Sequence, residues 1–69
     1  MELQTDLPAA TLVIRGPSPD SLYRRACQSF DKQLGDRSWR FIEQRFTPCL
    51  VTIGGRVRLY EGRFEAARA

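Results

Sequence analysis

The stretch Ser18–Gly35, SPDSLYRRACQSFDKQLG, decides the fold. Ser18 offers the side-chain oxygen of a helix N-cap, Pro19 suits the first helical position, and Asp20 places an acid where the helix dipole favours one. Leu22, Tyr23, Ala26, Cys27, Phe30 and Leu34 then recur at helical spacing on one side, with Arg24, Arg25, Gln28, Asp31 and Lys32 on the other. Gly35 supplies the stop. The spacing predicts one amphipathic helix over 19–34 with a single apolar face to bury.

The flanks read as strands. Ala10–Arg15 (ATLVIR) is short and β-branched, and Gly16-Pro17 separates it from the helix. Trp39–Phe46 (WRFIEQRF) is aromatic and β-branched and follows a compact loop at 35–37, which favours a strand. The alternative is a helical stripe of Trp39, Ile42 and Phe46, capped by Ser38 and stopped by Pro48. Cys49–Ile53 and Arg56–Tyr60 flank Gly54-Gly55, a pair that meets the positive φ of a two-residue hairpin turn. Gly62 reads as a bulge, with the strand continuing to about Glu65. The fold class is therefore α+β, with a single helix packed on one face of a small antiparallel sheet. The order is β-α-β-β-β, or β-α-β-β if residues 39–53 form one long strand bent near Pro48. Residues 10–66 form the one domain, after a loose leader at 1–9 and before a tail at 67–69.

Sixty-nine residues limit what such a domain can hold. A chain of this size buries roughly 7,000 Å² on folding. Its apolar share contributes roughly 105 kcal/mol at about 25 cal/mol per Å², against about 100 kcal/mol to order the chain. Stability near zero favours self-association, and a large enclosed active site is not expected.

The inventory excludes more than it suggests. There is no histidine, which removes Ser-His and Cys-His nucleophiles and every imidazole metal site. Cys27 and Cys49 cannot make a four-cysteine centre within one chain. No phosphate-binding glycine loop occurs, and no apolar run is long enough to cross a bilayer. No catalytic residue, metal or cofactor is expected. Two cysteines without an export signal point to reduced thiols in the cytoplasm.

Charge is uneven. The chain carries +3 overall, and ten of its eleven bases are arginine. Residues 1–36 hold four bases against five acids, whereas 37–69 hold seven arginines against Glu43, Glu61 and Glu65. A two-residue turn would set Ile53 opposite Arg56, Val51 opposite Arg58, Leu50 opposite Leu59 and Cys49 opposite Tyr60. On that register Leu50, Val57 and Leu59 face the core. With Ile42 and Phe46 turned inward, Trp39, Phe41 and Arg45 join Arg56, Arg58 and Tyr60 on the open face. Trp39, Arg45, Arg56, Arg58 and Tyr60 are thus the candidate partner-binding residues. Aromatic and arginine anchors suit a protein interface, and the same set could stack bases and pair phosphates. Core packing of Trp39 and Phe41 is the structural alternative.

Gly16-Pro-Ser-Pro-Asp20 before the helix, Trp39 after it and Gly55-Arg-Val57 later resemble the order of elements in dodecins, small flavin-binding β-α-β-β oligomers. The interval from Trp39 to the glycine is longer here, Pro48 interrupts the strand, and this chain is basic where dodecins tend to be acidic. The resemblance carries the order of elements and no cofactor. The expected function is a small non-enzymatic binding protein, a protein-interaction or inhibitor module of phage or mobile-element type. Its expected partners are a second copy of itself and an acidic protein surface. The alternative is a module for single-stranded nucleic acid.

Overall fold

The computed structural model describes residues 8–35 and 38–68. Four elements follow in order: β1 (Ala10–Gly16), α1 (Pro19–Leu34), β2 (Trp39–Val51) and β3 (Val57–Arg68). The sheet order is β1-β3-β2, antiparallel throughout, and α1 packs on one face. This is the expected α+β arrangement in its β-α-β-β form. Most of the leader read at 1–9, and residues 36–37 of the loop, lie outside the described residues. No helix among the described residues is long and apolar enough to cross a membrane.

The helix forms as its caps dictate. Ser18 Oγ accepts from the Ser21 N–H at 3.2 Å, and Pro19 opens the first turn. Gly35 closes the helix with φ 92°, its N–H donating to the Asp31 carbonyl at 3.0 Å. Only glycine takes that conformation without a steric cost. Leu22, Ala26 and Phe30 are fully buried against Phe64 and Ala66 of the central strand. Ala10, Leu12, Ile14, Leu34, Trp39, Phe41, Phe46 and Tyr60 pack around them. Aromatic rings join the layers: Phe30 lies edge-on to Trp39 at 5.4 Å and to Phe41 at 5.8 Å, and Phe46 lies edge-on to Phe64 at 5.5 Å.

Residues 39–51 are one continuous strand, and the helical alternative does not occur. Pro48 is accommodated because β2 is an edge strand, where a missing N–H breaks no ladder on the outer side. The tail expected at 67–69 is largely strand instead. β3 runs to Arg68, and Ala67 is buried.

The hairpin departs from the expected register. Thr52 N–H donates to the Arg56 carbonyl and Gly55 N–H to the Thr52 carbonyl, both at 2.9 Å, which closes a three-residue loop of Ile53-Gly54-Gly55. Only Gly55 has positive φ, at 86°. A type I turn followed by one left-handed glycine satisfies the twist of the strands as well as a two-residue turn would. Val51 therefore pairs with Val57 rather than with Arg58, and Pro48 rather than Cys49 pairs with Tyr60, while Leu50 still pairs with Leu59. The irregularities fall at Phe41/Glu43, Pro48/Leu50 and Leu50/Val51, and Gly62 sits in regular pairing between Ile14 and Phe46.

Candidate interaction site

The five residues singled out from the sequence do not form one surface. Trp39 and Tyr60 pack on the helix side of the sheet as part of the core rim. Trp39 also donates from Nε1 to Asp31 Oδ1 at 2.9 Å, which ties the start of β2 to the last turn of α1. Phe41, expected outside, lies against Phe30, Trp39 and Phe64. Arg45 stands on the opposite, open face, in register with Arg63. Arg56 and Arg58 are exposed near the hairpin tip. One physical reason is the irregularity between Phe41 and Glu43, where Ile42 is the extra residue and Trp39 and Phe41 are turned to the opposite side from Arg45; the other is side-chain alternation along β3. Phe64 and Ala66 must face α1, so Tyr60 follows them inward, and Leu59 cannot be core. An open platform of interleaved aromatics and arginines is not assembled.

Strand lengths create a different candidate. β1 has 7 residues and covers β3 only from Tyr60 to Ala66. β2 and β3 have 13 and 12 and continue together past that cover. Residues 49–59 thus form a two-stranded arm in a molecule 52 Å long and only 13 Å thick. Three of its apolar side chains stand largely in solvent, with Leu50 57% exposed, Val51 51% and Ile53 fully exposed, while Val57 and Leu59 are half-buried. Thr52 stiffens the tip, its Oγ1 accepting from the Arg56 N–H at 3.3 Å. No acid occurs between Glu43 and Glu61, whereas Arg45, Arg56 and Arg58 do. The arm is apolar along its length and basic at its margins. A lone two-stranded hairpin is marginal in water.

Elsewhere on the open face the charges are satisfied locally. Arg15 pairs with Glu61 at 3.4 Å, Arg45 with Glu43 at 3.2 Å and Arg63 with Glu65 at 3.3 Å. A shallow depression on the outer side of α1 is lined by Arg25, Gln28, Ser29 and Lys32. One nitrogen of Arg25 is already committed to the Arg15 carbonyl at 2.9 Å. Cys27 is half-buried and Cys49 exposed, both as free thiols. A hydrogen bond with Cys27, the charge of its thiolate and partial burial hold the Tyr23 hydroxyl above the ordinary tyrosine value of 10.0. Among the described residues no group of three potential ligands comes together to hold a metal ion. No protein-family model matches the chain, and no curated protein or solved structure matches it.

The arm was only half visible in the sequence. Ile53 reads as outward from either register. Leu50 falls on the core face only on the register of a two-residue turn, which the structure does not have. The missed signal is length, since seven strand residues upstream of the helix cannot cover a hairpin nearly twice as long.

Proposed function

We propose that this chain is a non-enzymatic protein-interaction module that works through the hairpin arm at 49–59, in a cytoplasm that keeps both thiols reduced. The observation that carries this reading is the exposure of Leu50, Val51 and Ile53 on a projecting arm whose only charges are arginines. Exposed apolar side chains with a polar rim are characteristic of partner-binding surfaces. The partner that fits is an apolar patch with acidic margins on another protein. Guanidinium groups at the rim would steer that encounter and pair with carboxylates bidentately. Single-stranded nucleic acid is the weaker reading, because Trp39 and Tyr60 are held in the core rim instead of standing beside the arginines.

Selection from a displayed random-peptide library tests the proposal. The expected winners combine Asp or Glu with large apolar residues. Binding should fall at least tenfold, about 1.4 kcal/mol, in both Leu50→Ser/Ile53→Ser and Arg56→Glu/Arg58→Glu. Folded variants that bind the selected peptides as the wild type does would remove the arm from consideration. Binding of a labelled single-stranded oligonucleotide with a steep log–log salt dependence, indifferent to Leu50 and Ile53, would support the nucleic-acid reading instead.

A further inference from the structure

The open face of the sheet carries its charges in rows. Register sets Glu43 directly opposite Glu65 and Arg45 directly opposite Arg63. Like charges in that relation repel, and a sheet that served only itself would alternate them. Relief comes along the strands, from the 3.2 Å pair of Arg45 with Glu43 and the 3.3 Å pair of Arg63 with Glu65. The outcome is an acidic row, Glu43–Glu65, beside a basic row, Arg45–Arg63. β1 extends both rows with uncharged side chains, Thr11 next to Glu65 and the half-exposed Val13 next to Arg63. These four charges cancel, the next row holds the paired Arg15 and Glu61, and the two rows between them and the far end of the sheet are banded.

A banded face is complementary to a copy of itself. Consider a twofold axis lying between two facing sheets, parallel to the rows and midway between them. It reverses the strand direction and leaves each strand over its own counterpart. Glu43 then meets Arg45 of the partner subunit, Glu65 meets Arg63 of the partner subunit, and both contacts occur twice. We infer that this open face is the contact of a symmetric homodimer, held by four intersubunit ion pairs over β2 and β3 with Val13 beside them on β1. Phosphate chains are poorly served by the same face, since Arg63 stands between Glu61 and Glu65 along its strand and Arg45 next to Glu43.

The contact is small. At about 3.3 Å per residue and about 4.8 Å per strand, the three-stranded region offers a flat footprint of roughly 330 Å² per copy. Standard interfaces bury about 800 Å² per partner. The dimer is therefore weak, in exchange with monomer, and governed by charge. Reversal of strand direction sends the two hairpin arms to opposite ends, so the dimer presents them as a divergent pair. This inference does not depend on what the arms bind.

Charge exchange provides the test. Glu43→Arg/Glu65→Arg makes both rows basic, and Arg45→Glu/Arg63→Glu makes both acidic. In sedimentation at about 0.05 M salt, where the Debye length is between about 10 and 30 Å, the wild type should show a monomer–dimer equilibrium. Raising salt to about 0.5 M should shift it to monomer, the screening length then being only about 4 Å. Each variant alone should associate at least tenfold more weakly, and an equimolar mixture of the two should recover association as a heterodimer. Glu43→Gln/Glu65→Gln, nearly isosteric, stands in if a reversed variant does not fold, and it too should lose the dimer. Ile53→Ser should keep it. A monomeric wild type at low salt, a dimer indifferent to salt, a folded mixture that fails to associate, or loss of the dimer in folded Ile53→Ser would each overturn the inference.

Discussion

Replacing Gly62 with alanine sets two opposing effects against each other in the middle of β3. Glycine in a strand interior is entropically costly, and Gly→Ala at a compatible site stabilises by about 0.4–1 kcal/mol through the unfolded state. Gly62 has no need of positive φ, so the backbone itself would accept alanine. Space decides otherwise. A Cβ at Gly62 would lie 2.7 Å from Phe64 Cε2, 3.1 Å from its Cζ and 3.2 Å from Leu22 Cδ1. Carbon atoms in good contact sit about 3.5–4.0 Å apart. Phe64 cannot swing clear, because it is fully buried between Phe41 at 5.7 Å and Phe46 at 5.5 Å. Overpacking of this kind costs about 1–3 kcal/mol. The net expectation is a loss of about 1–2 kcal/mol, which in a domain this small lowers Tm by roughly 4–15 °C. Thermal and urea denaturation at fixed protein concentration would read it. Gly54→Ala, where a Cβ meets nothing within 4 Å, is the control and should not fall. A Gly62→Ala protein as stable as the wild type would show that the ring over Gly62 is free to move and that the packing argument is wrong.

Phe30→Ala removes a fully buried ring from beneath Trp39 and Phe41 and should cost about 3–5 kcal/mol, close to the whole stability of a marginal domain; an unchanged circular-dichroism melting curve would contradict the core assignment. Tyr23, followed by absorbance near 295 nm in a Tyr60→Phe background, should ionise above 10.0 and return toward that value in Cys27→Ala. Because its pKa is raised in the folded state, the stability it contributes is complete below pH 10 and is lost as pH rises through the folded value. Titration of Tyr23 at or below its ordinary value would exclude the Cys27 contact.

The helix was legible to the residue because its signals are local. Ser18, Pro19 and Gly35 act on their own backbone neighbours, and Leu22, Ala26 and Phe30 share a face whatever they pack against. The hairpin was legible as a hairpin and illegible in register. Gly54-Gly55 is compatible with a two-residue turn and equally with the second half of a three-residue loop, since either uses a positive φ at Gly55. One residue of difference reverses which side chains of a strand face inward. Core positions near the far end of β3 remove the ambiguity: Phe64 and Ala66 must meet α1, and from there Tyr60 is inward by alternation. The buried end of the strand, and not its turn, fixes the facing of Tyr60, whereas Trp39 faces α1 through the irregularity between Phe41 and Glu43, which strict alternation does not announce.

The arm and the banded face follow from one feature of the topology. With β3 in the centre, β1 and β2 flank it, and α1 must cross the sheet to connect them. A 16-residue helix spans about 24 Å at about 1.5 Å per residue, which covers 7 strand residues at about 3.3 Å each and no more. Strand residues within that length have a covered side and can leave the other side to charge, as Glu43, Arg45, Arg63 and Glu65 do. Strand residues beyond it lie past the helix, so Leu50 and Val51 stay more than half exposed and Ile53 fully so. Apolar side chains that the fold leaves largely exposed, and charges that it pairs along the strands but opposes across them, are both incompletely served by the monomer. A second surface would bury the first and, on the proposed twofold, would give the second a further set of partners.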